Sequence, residues 1–287
     1  MIGFQDSITF VIVTFNSHQV ITKCIESINS NNKIIVVENS KDYSTKNSLE
    51  SKFKNVEVVI AGENLGYGKG NNLGISRVKT QYAFILNPDA YVDKNTIEEF
   101  EKAQFLLQDK FSIIAPNFFN NYGYFSKKNY FNIYNKIVEV DYVKGFAMLL
   151  NLKNINFKKI FDENFFLFLE EIDLCKRIKS QNGKIYLIRD SKIYHSEKKG
   201  SGNSFEVELC RNWHWMWSLY YYNLKHSGKL KVFNIAFSKL FSSVIKIIFS
   251  LICFNKKNYL MQKYRLLGLI NSILRKRSWI RPEDIKL

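Results

Sequence analysis

The sequence predicts an α/β protein in which a mostly parallel β-sheet is flanked by helices and followed by a helical C-terminal region. Three observations indicate this class. Short β-branched runs alternate with apolar residues at helical spacing over the first third of the chain. Strand signals stop near residue 200, and helical signals replace them. Apolar residues make up 46% of the 287 positions, which is enough for a large core and excludes a disordered chain.

The predicted strands are short apolar runs bounded by polar residues. Four of them are at residues 8–15, 33–38, 56–60 and 82–86, and two more are predicted at 141–150 and 184–188. Helical spacing is clearest after the first strand, where apolar residues recur every three to four positions over residues 20–28. Such alternation joins parallel strands by right-handed crossovers.

Ligands of parallel sheets bind beyond the carboxyl ends of the strands. The sequence therefore directs attention to residues 14–17, 38–42 and 87–93, which follow the first, second and fourth strands.

Charge divides the chain into two parts, and we predict domains at 1–200 and 201–287. Residues 201–287 hold 15 Lys and Arg against 4 Asp and Glu, whereas residues 1–200 hold 27 against 22. A basic, aromatic tail calls for an acidic partner such as an anionic membrane, a nucleic acid or an acidic substrate. The four cysteines form no CxxC pair, and the N-terminus has no basic stretch before a long apolar run. We therefore expect a reducing, cytoplasmic location.

One amphipathic helix is readable in the tail, between Lys231 and Ser250. Its polar residues recur every three to four positions and form a narrow stripe on an otherwise apolar cylinder. Lys239 and Lys246 argue against a simple transmembrane span, and an interfacial helix fits better. The alternative is a helix that packs on the main domain.

Asp89 is the first candidate site residue. It follows the fourth strand in the sequence LNPDA, where Pro88 pushes Asn87 into an extended conformation and ends the strand. A carboxylate at that edge can hold Mg²⁺ or Mn²⁺ against phosphate oxygens. The alternative is an ordinary Asx turn.

Three acids within four positions form the second candidate: Glu170, Glu171 and Asp173 in FLEEIDLC. Mutual repulsion raises carboxylate pKa values, which suits a general base near neutral pH. The alternative is a helix N-terminus that carries acids for dipole reasons. His195 follows a strand and precedes a Gly/Ser/Lys loop, where it is either a ligand or a structural residue. The stretch GENLGYGKGNNLG does not fit the GxGxxG spacing of dinucleotide folds.

Seven stretches, in order, resemble the inverting family-2 glycosyltransferases, particularly their bacterial rhamnosyltransferase-like branch. They are VIVTFNS, IIVVENS, ENLGYGKGNNLGI, FILNPDA, VKGFAMLL, FDENFFLFLEEIDLCKRI and IYHSE, and they cover residues 8 to about 197. The resemblance implies a GT-A, Rossmann-like fold that moves a sugar from a nucleotide-diphosphate sugar to an acceptor hydroxyl. It leaves the basic tail uncovered.

The resemblance also implies roles for individual residues. Those expected near the nucleotide are Thr14, Phe15, Asn16, Glu38, Asn64, Gly70, Asn71 and Asn87. Asn87-Pro88-Asp89 matches the metal motif called DXD with Asn in first place, so Asp89 would carry Mn²⁺ or Mg²⁺, with His195 as a further ligand. Glu171 matches the catalytic base, where the family usually has Asp, and Glu170 is held in reserve.

The resemblance leaves donor, acceptor and partners partly open. The branch favours dTDP-rhamnose, whereas UDP-hexose and furanose donors use similar motifs. We expect a growing, lipid-linked surface glycan as acceptor and an anionic inner membrane surface as partner. The sequence leaves the oligomeric state open, with a homodimer as the candidate. Two other readings compete: a sugar-nucleotide transferase, whose Arg- and Lys-bearing glycine loop is missing from TFNSHQ, and a basic nucleic-acid-binding protein that uses the tail aromatics.

Overall fold

The computed structural model describes residues 3–118, 136–196 and 204–285. The chain divides into two compact units. Met1–Asp162 and Glu171–Ser201 form one, called here the sheet unit, and Glu163–Glu170 and Gly202–Leu287 form the other, the helical unit. The Gly/Ser/Lys loop that follows His195 lies outside the described residues.

The sheet unit is built on a nine-stranded sheet among its described residues. Its strands are β1 (Ile8–Thr14), β2 (Lys33–Glu38), β3 (Val56–Ile60), β4 (Tyr82–Leu86), β5 (Ala90–Val92), β6 (Ile113–Phe118), β7 (Ile137–Glu139), β8 (Ala147–Asn151) and β9 (Ile185–His195). The spatial order is β3-β2-β1-β4-β8-β6-β9-β5, and β7 pairs with β9.

The first four strands are parallel, as predicted, so their carboxyl ends meet at one edge. Beyond β4 the sheet is mixed, because β8 runs antiparallel to both β4 and β6. All residues of β1 and β4 are buried, which explains their continuous apolar runs. Sequence reasoning missed the strands β5, β6 and β7, and it placed the start of β8 too early, at residue 141 instead of Ala147. It also missed the extension of the last strand to His195, which pairs with Ala90.

Helices cover the sheet, and apolar clusters lie on both of its faces. The helices are α1 (His18–Glu26), α2 (Tyr43–Lys52), α3 (Tyr67–Ile75), α4 (Thr96–Leu107) and α5 (Glu170–Ser180). Glycines let α3 approach β1 closely: a Cβ on Gly74 would lie 2.4 Å from Val11 Cγ1, and one on Gly70 would lie 2.9 Å from Val13 Cγ1.

The helical unit contains three long helices, α6 (Phe205–His226), α7 (Lys229–Ile252) and α8 (Lys256–Ile273). A Cβ on Gly268 would lie 2.1 Å from the Trp213 carbonyl oxygen, so this glycine sets how closely α8 approaches α6. Trp213 and Trp217 are buried in an apolar core, and therefore cannot offer their faces to nucleic-acid bases.

The segment 163–170 packs on the helices of the helical unit. The Ser218 hydroxyl donates a 2.8 Å hydrogen bond to the Leu167 carbonyl, and the Phe165 ring meets Tyr221 edge-on at 4.9 Å. Phe168 and Leu169 both have left-handed backbone angles, with φ of 71° and 68°. Bulky side chains rarely adopt that conformation, so surrounding contacts must hold it in place.

His214 is a buried, neutral histidine at the centre of the helical unit. Its Nδ1 lies 2.8 Å from Ser278 Oγ, its Nε2 lies 2.8 Å from the Ile280 carbonyl oxygen, and its ring stacks on Phe166. Burial lowers the pKa of His214 to about 3; the hydrogen bond to the Ile280 carbonyl opposes part of this shift, and the nearby charge of Arg281 adds a smaller lowering. The imidazole is thus an uncharged structural group.

This burial predicts that the helical unit loses stability in acid. The unfolded chain binds a proton on His214 below its ordinary pKa of 6.5, and the folded chain does so only near 3. The free energy of unfolding should therefore decrease as the pH is lowered from 6.5 to about 3, and this group contributes up to about 1.4 kcal/mol per pH unit to the decrease. Fluorescence reports on this unit alone, because all four tryptophans lie in it. His214→Gln should flatten the slope, and His226→Gln, on the same helix, should leave it unchanged; equal slopes in all three proteins would contradict the prediction.

Candidate functional site

Asn39, directly after β2, forms hydrogen bonds with the end of β1 and with the loop that follows β3. Its backbone N–H donates to the Thr14 carbonyl at 2.8 Å, and its side-chain amide donates to Asn64 Oδ1 at 3.1 Å and to the Gly66 carbonyl at 3.2 Å. In return, Asn39 Oδ1 accepts from the Leu65 N–H at 2.9 Å. Sequence reasoning missed this residue, although it lies in the stretch IIVVENS. It gathers Thr14 and Asn64, two of the predicted nucleotide residues, at the carboxyl ends of the parallel strands.

Glu38 ends β2 and presents a buried carboxylate at the same edge. Its Oε1 accepts a 2.6 Å hydrogen bond from Ser40, whereas its Oε2 is buried without a partner among the described residues. Burial raises the pKa of Glu38, and the Ser40 hydrogen bond opposes that rise. A buried oxygen without a donor is costly unless a ligand satisfies it.

Phe15 and Asn16 form the turn that follows β1. The Phe15 N–H donates to Ser17 Oγ at 3.3 Å, and Asn16 is exposed with a left-handed φ of 54°. In the middle of α3, the Asn71 side-chain amide donates to the Tyr67 carbonyl at 3.0 Å, while its Oδ1 is buried without a partner in the described part of the chain. Gly70, in contrast, faces Val13, so its missing side chain serves helix packing.

Asp89 and His195 are in direct contact although 106 positions separate them. Asp89 Oδ1 lies 3.1 Å from His195 Nε2, and both side chains are largely buried. The pairing of β5 with β9 brings them together, because it places Ala90 opposite His195. Asn87, two residues earlier, has a buried Oδ1 without a hydrogen-bond partner among the residues described.

Phe146 packs against this pair. Its ring stacks on the His195 imidazole at 4.7 Å with an interplanar angle of 8°, and its carbonyl accepts a 2.8 Å hydrogen bond from the Asn87 N–H. On the other side, the Cys24 thiol donates to the Asn87 carbonyl at 3.5 Å. Burial raises the pKa of that thiol, and the charge of Asp89 adds to the rise, so Cys24 is an inert neighbour.

The donor set at Asp89 and His195 fits a divalent cation. A carboxylate oxygen and an imidazole nitrogen can both bind such a cation, and here the two atoms lie 3.1 Å apart, in hydrogen-bond contact with each other. No group of three or more His, Cys, Asp and Glu residues that could hold a metal occurs within residues 3–118, 136–196 and 204–285. Such a cation would thus draw on one carboxylate and one imidazole, which is typical of sites that complete the shell with phosphate oxygens and water.

Glu171 lies in the first turn of α5, next to the loop that carries Phe146. A Cβ on Gly145 would lie 3.4 Å from Glu171 Cβ, in ordinary van der Waals contact, so the loop runs directly beside the Glu171 side chain. The Tyr67 hydroxyl donates to the Gly145 carbonyl and fixes the loop from α3. Burial raises the pKa of Glu171, whereas backbone hydrogen bonds and the charge of Lys144 lower it. The net rise keeps Glu171 a better proton acceptor than an exposed carboxylate.

The other two acids of this cluster, Glu170 and Asp173, are both buried. Asp173 is fully buried and forms a 2.7 Å ion pair with Arg177, whose guanidinium also stacks on Phe157. Asp173 is therefore structural, and burial rather than repulsion among three acids raises the pKa of Glu171. Glu170 is buried and is the last residue of the segment 163–170, which belongs to the helical unit.

Comparison with known proteins assigns the chain to a family. A family model described as Glycosyl transferase family 2 matches residues 9–161, more than half of the chain. The chain belongs to glycosyl transferase family 2. The matched range includes Glu38, Asn64 and Asp89, and it ends before Glu171 and His195.

Relatives of this family 2 chain include one curated protein and several solved structures. The low-salt glycan biosynthesis hexosyltransferase Agl10 of Haloferax volcanii is 24% identical over 197 residues, which is 62% of this chain and 63% of that protein. The match therefore spans somewhat less than two thirds of the relative's length.

Two solved structures share the fold. The mannosyltransferase PcManGT of Pyrobaculum calidifontis, in complex with GDP-Man and Mn²⁺, has a TM-score of 0.57 at 10% identity, covering 94% of this chain and 88% of its own. TarS 1-349 of S. aureus, in complex with UDP, has a TM-score of 0.52 at 13% identity, covering 94% and 92%. The expected GT-A, Rossmann-like fold of this family 2 chain is confirmed.

Proposed function

We propose that the chain is an inverting, metal-dependent glycosyltransferase that moves a hexose from a nucleotide-diphosphate sugar to a hydroxyl of a growing glycan. The observation that supports this most directly is the loop 145–146. Gly145 packs against Glu171, and the next residue, Phe146, stacks on His195 beside Asp89. A candidate base and a candidate cation pair are thus held by two consecutive residues. Family membership supplies the reaction class.

The nucleotide would bind at the carboxyl ends of β1 and β2. Thr14, Phe15 and Asn16 border this edge from β1, and Glu38 offers it a buried acceptor oxygen. Asn64, Asn71 and Asn87 supply further amides, and Gly70 allows α3 to lie against β1. The related structures that hold GDP-Man or UDP favour a nucleotide-sugar donor here as well.

The chemistry follows from the charges of this site. A divalent cation, Mn²⁺ or Mg²⁺, would offset negative charge on the diphosphate leaving group when it is held by Asp89 and His195. Glu171, whose pKa is raised by burial, would in its ionised form draw the proton from the acceptor hydroxyl as that oxygen attacks the anomeric carbon. A single displacement from the face opposite the diphosphate inverts the anomeric centre. Glu170 is the alternative base.

We infer a glycan acceptor from the hexosyltransferase relative, whose name places it in glycan biosynthesis. A lipid-linked glycan at the cytoplasmic face of the membrane is the form that we propose. The rhamnosyltransferase-like branch makes dTDP-rhamnose one candidate donor, and a UDP-hexose or a furanose donor is the other.

Hydrolysis of a panel of nucleotide sugars tests this function and ranks the donors. We expect one nucleotide sugar, with Mn²⁺ present, to be cleaved at least about tenfold faster than the others, because a buried pocket rejects donors that leave its polar groups unpaired. Released nucleoside diphosphate is measured with each of the dTDP-, UDP- and GDP-linked sugars. Cleavage of none of them, with binding of none detected by calorimetry, would contradict the proposal.

A further inference from the structure

The helix α7 presents its apolar side outward and its small polar side inward. Its buried residues include Ser243 and Ser250, and Ser250 Oγ accepts a 3.0 Å hydrogen bond from the Asn258 amide of α8. A helix in water normally buries its apolar stripe and exposes its polar one. The predicted polar stripe of the tail thus exists, and α8 covers part of it.

The outward side of α7 forms a continuous apolar surface, which we call the α7 face. Phe233, Phe237 and Phe241 form a stacked row, with centroids 6.2 Å and 6.3 Å apart and exposed fractions of 66%, 62% and 62%. The surface continues through other large exposed residues: Leu230, Val244, Ile245, Ile248, Leu251 and Ile252. An apolar surface of this extent is costly in water and indicates a partner.

The charge around the α7 face has a single sign. Between Glu208 and Glu283 the chain contains no acidic residue and 14 Lys and Arg residues. Three of these, Lys231, Lys239 and Lys246, are exposed and lie within about 80° of each other on one flank of α7. Lysines in this position can extend toward water while the apolar side is covered.

These observations favour a bilayer surface over a bilayer crossing. Among the described residues, α7 is the helix long and apolar enough to cross a membrane by length and composition. However, α7 packs along α8, which carries Lys256, Lys257, Lys263 and Arg265. A crossing by α7 would take those charges into hydrocarbon, where each is strongly disfavoured.

A second copy of the chain fits the α7 face less well than lipid does. Two copies that meet through this face would bring together two strongly basic units, each with 14 Lys and Arg and no acidic residue between Glu208 and Glu283. Like charges at an interface oppose association. Anionic headgroups, in contrast, complement the flank at the same time as acyl chains cover the phenylalanines.

We propose that the α7 face docks on an anionic lipid surface, with α7 lying in the interface and α8 on its water side. Phe233, Phe237 and Phe241 enter the boundary between headgroups and acyl chains, and Lys239 and Lys246 reach the anionic headgroups. This inference names a partner for the proposed lipid-linked reaction, but its evidence and its test are independent of turnover.

Co-sedimentation of the full chain with vesicles tests the docking. Phosphatidylcholine vesicles with about a third phosphatidylglycerol should bind the chain, and pure phosphatidylcholine vesicles should bind it at least about tenfold more weakly. The double variant Phe237→Ser/Phe241→Ser should lower the affinity for the mixed vesicles at least about tenfold. Lys239→Gln/Lys246→Gln should lower it about tenfold as well, and only when phosphatidylglycerol is present.

Matched controls separate docking from general effects. Phe105 and Leu106, which are exposed on α4, provide the apolar control Phe105→Ser/Leu106→Ser, and Lys153→Gln/Lys158→Gln provides the charge control. Both should bind as the parent does. Circular dichroism checks that each variant is folded, and alkaline carbonate should release the bound parent from the vesicles.

Three results would overturn the proposal. Resistance to carbonate would indicate a membrane crossing. Loss of self-association in the α7 variants, without any vesicle binding by the parent, would indicate a second copy as the partner. Equal losses of binding in the α7 variants and in their controls would show that the α7 face has no special role.

Discussion

Asp89→Asn should reduce turnover at least about 10³-fold while leaving the fold intact. The carboxylate is one of two groups that could hold a cation beside His195, and a bound cation contributes several kcal/mol of charge stabilisation in reactions of this kind. His195→Gln should have a smaller effect, because the carboxylate carries the charge. Initial rates at several Mn²⁺ concentrations measure both variants.

The control for this charge removal lies on the same strand as His195. Asp190 is a surface residue of β9 paired with Lys136 at 2.8 Å, and Asp190→Asn should retain full turnover. A second readout is Mn²⁺ binding in the presence of UDP, followed by electron paramagnetic resonance. Full turnover of the parent in excess chelator would refute the metal assignment.

Glu171→Gln should reduce turnover by about 10²–10⁴ and at the same time stabilise the fold. The first effect follows because the amide cannot accept the proton that a general base must take. The second follows from the raised pKa of Glu171: above that pKa, the buried carboxylate is ionised at a cost that the unfolded chain does not have. Glutamine keeps the shape and removes the charge, so the melting temperature measured at pH 8 should rise.

The pH profile of the parent offers an independent measure of the same group. Because burial raises the pKa of Glu171, the acid limb of turnover should lie above the ordinary glutamate value of 4.5, and activity should fall as pH is lowered through it. Donor affinity should change little in Glu171→Gln. If Glu170→Gln instead shows the large loss in turnover and Glu171→Gln does not, Glu170 is the base.

The parallel half of the sheet could be predicted because its strands are buried on both faces. Strands β1 and β4 are continuous apolar runs, and a polar or proline-bearing turn follows each. The position of Asp89 at the sheet edge follows from the same logic, since Pro88 must end the strand. The strands and the turn at Pro88 could be predicted because each depends on residues that are neighbours in the sequence.

The contacts within the site were less accessible from sequence. Asp89 meets His195 only because the three-residue strand β5 pairs with β9, and a strand that short has no pattern to detect. The role of Asp173 was not evident from sequence either, because an acid four residues before Arg177 has the same pattern whether the pair is buried or exposed. The periodicity of α7 showed a polar stripe but could not show which side of the helix would be covered.

The segment 163–170 belongs to the helical unit, which lies outside the range that the family model matches, and it ends directly before the candidate base Glu171. Phe168 and Leu169 are consecutive left-handed residues, and α6 contacts this stretch through Ser218 at the Leu167 carbonyl and through Trp215 at the Phe168 ring. Glu171 follows two residues after Leu169. The helical unit therefore includes a segment from the middle of the chain as well as the C-terminal helices. The border between the two compact units falls between Glu170 and Glu171, at the start of α5, so a cut at residue 200 would divide the helical unit.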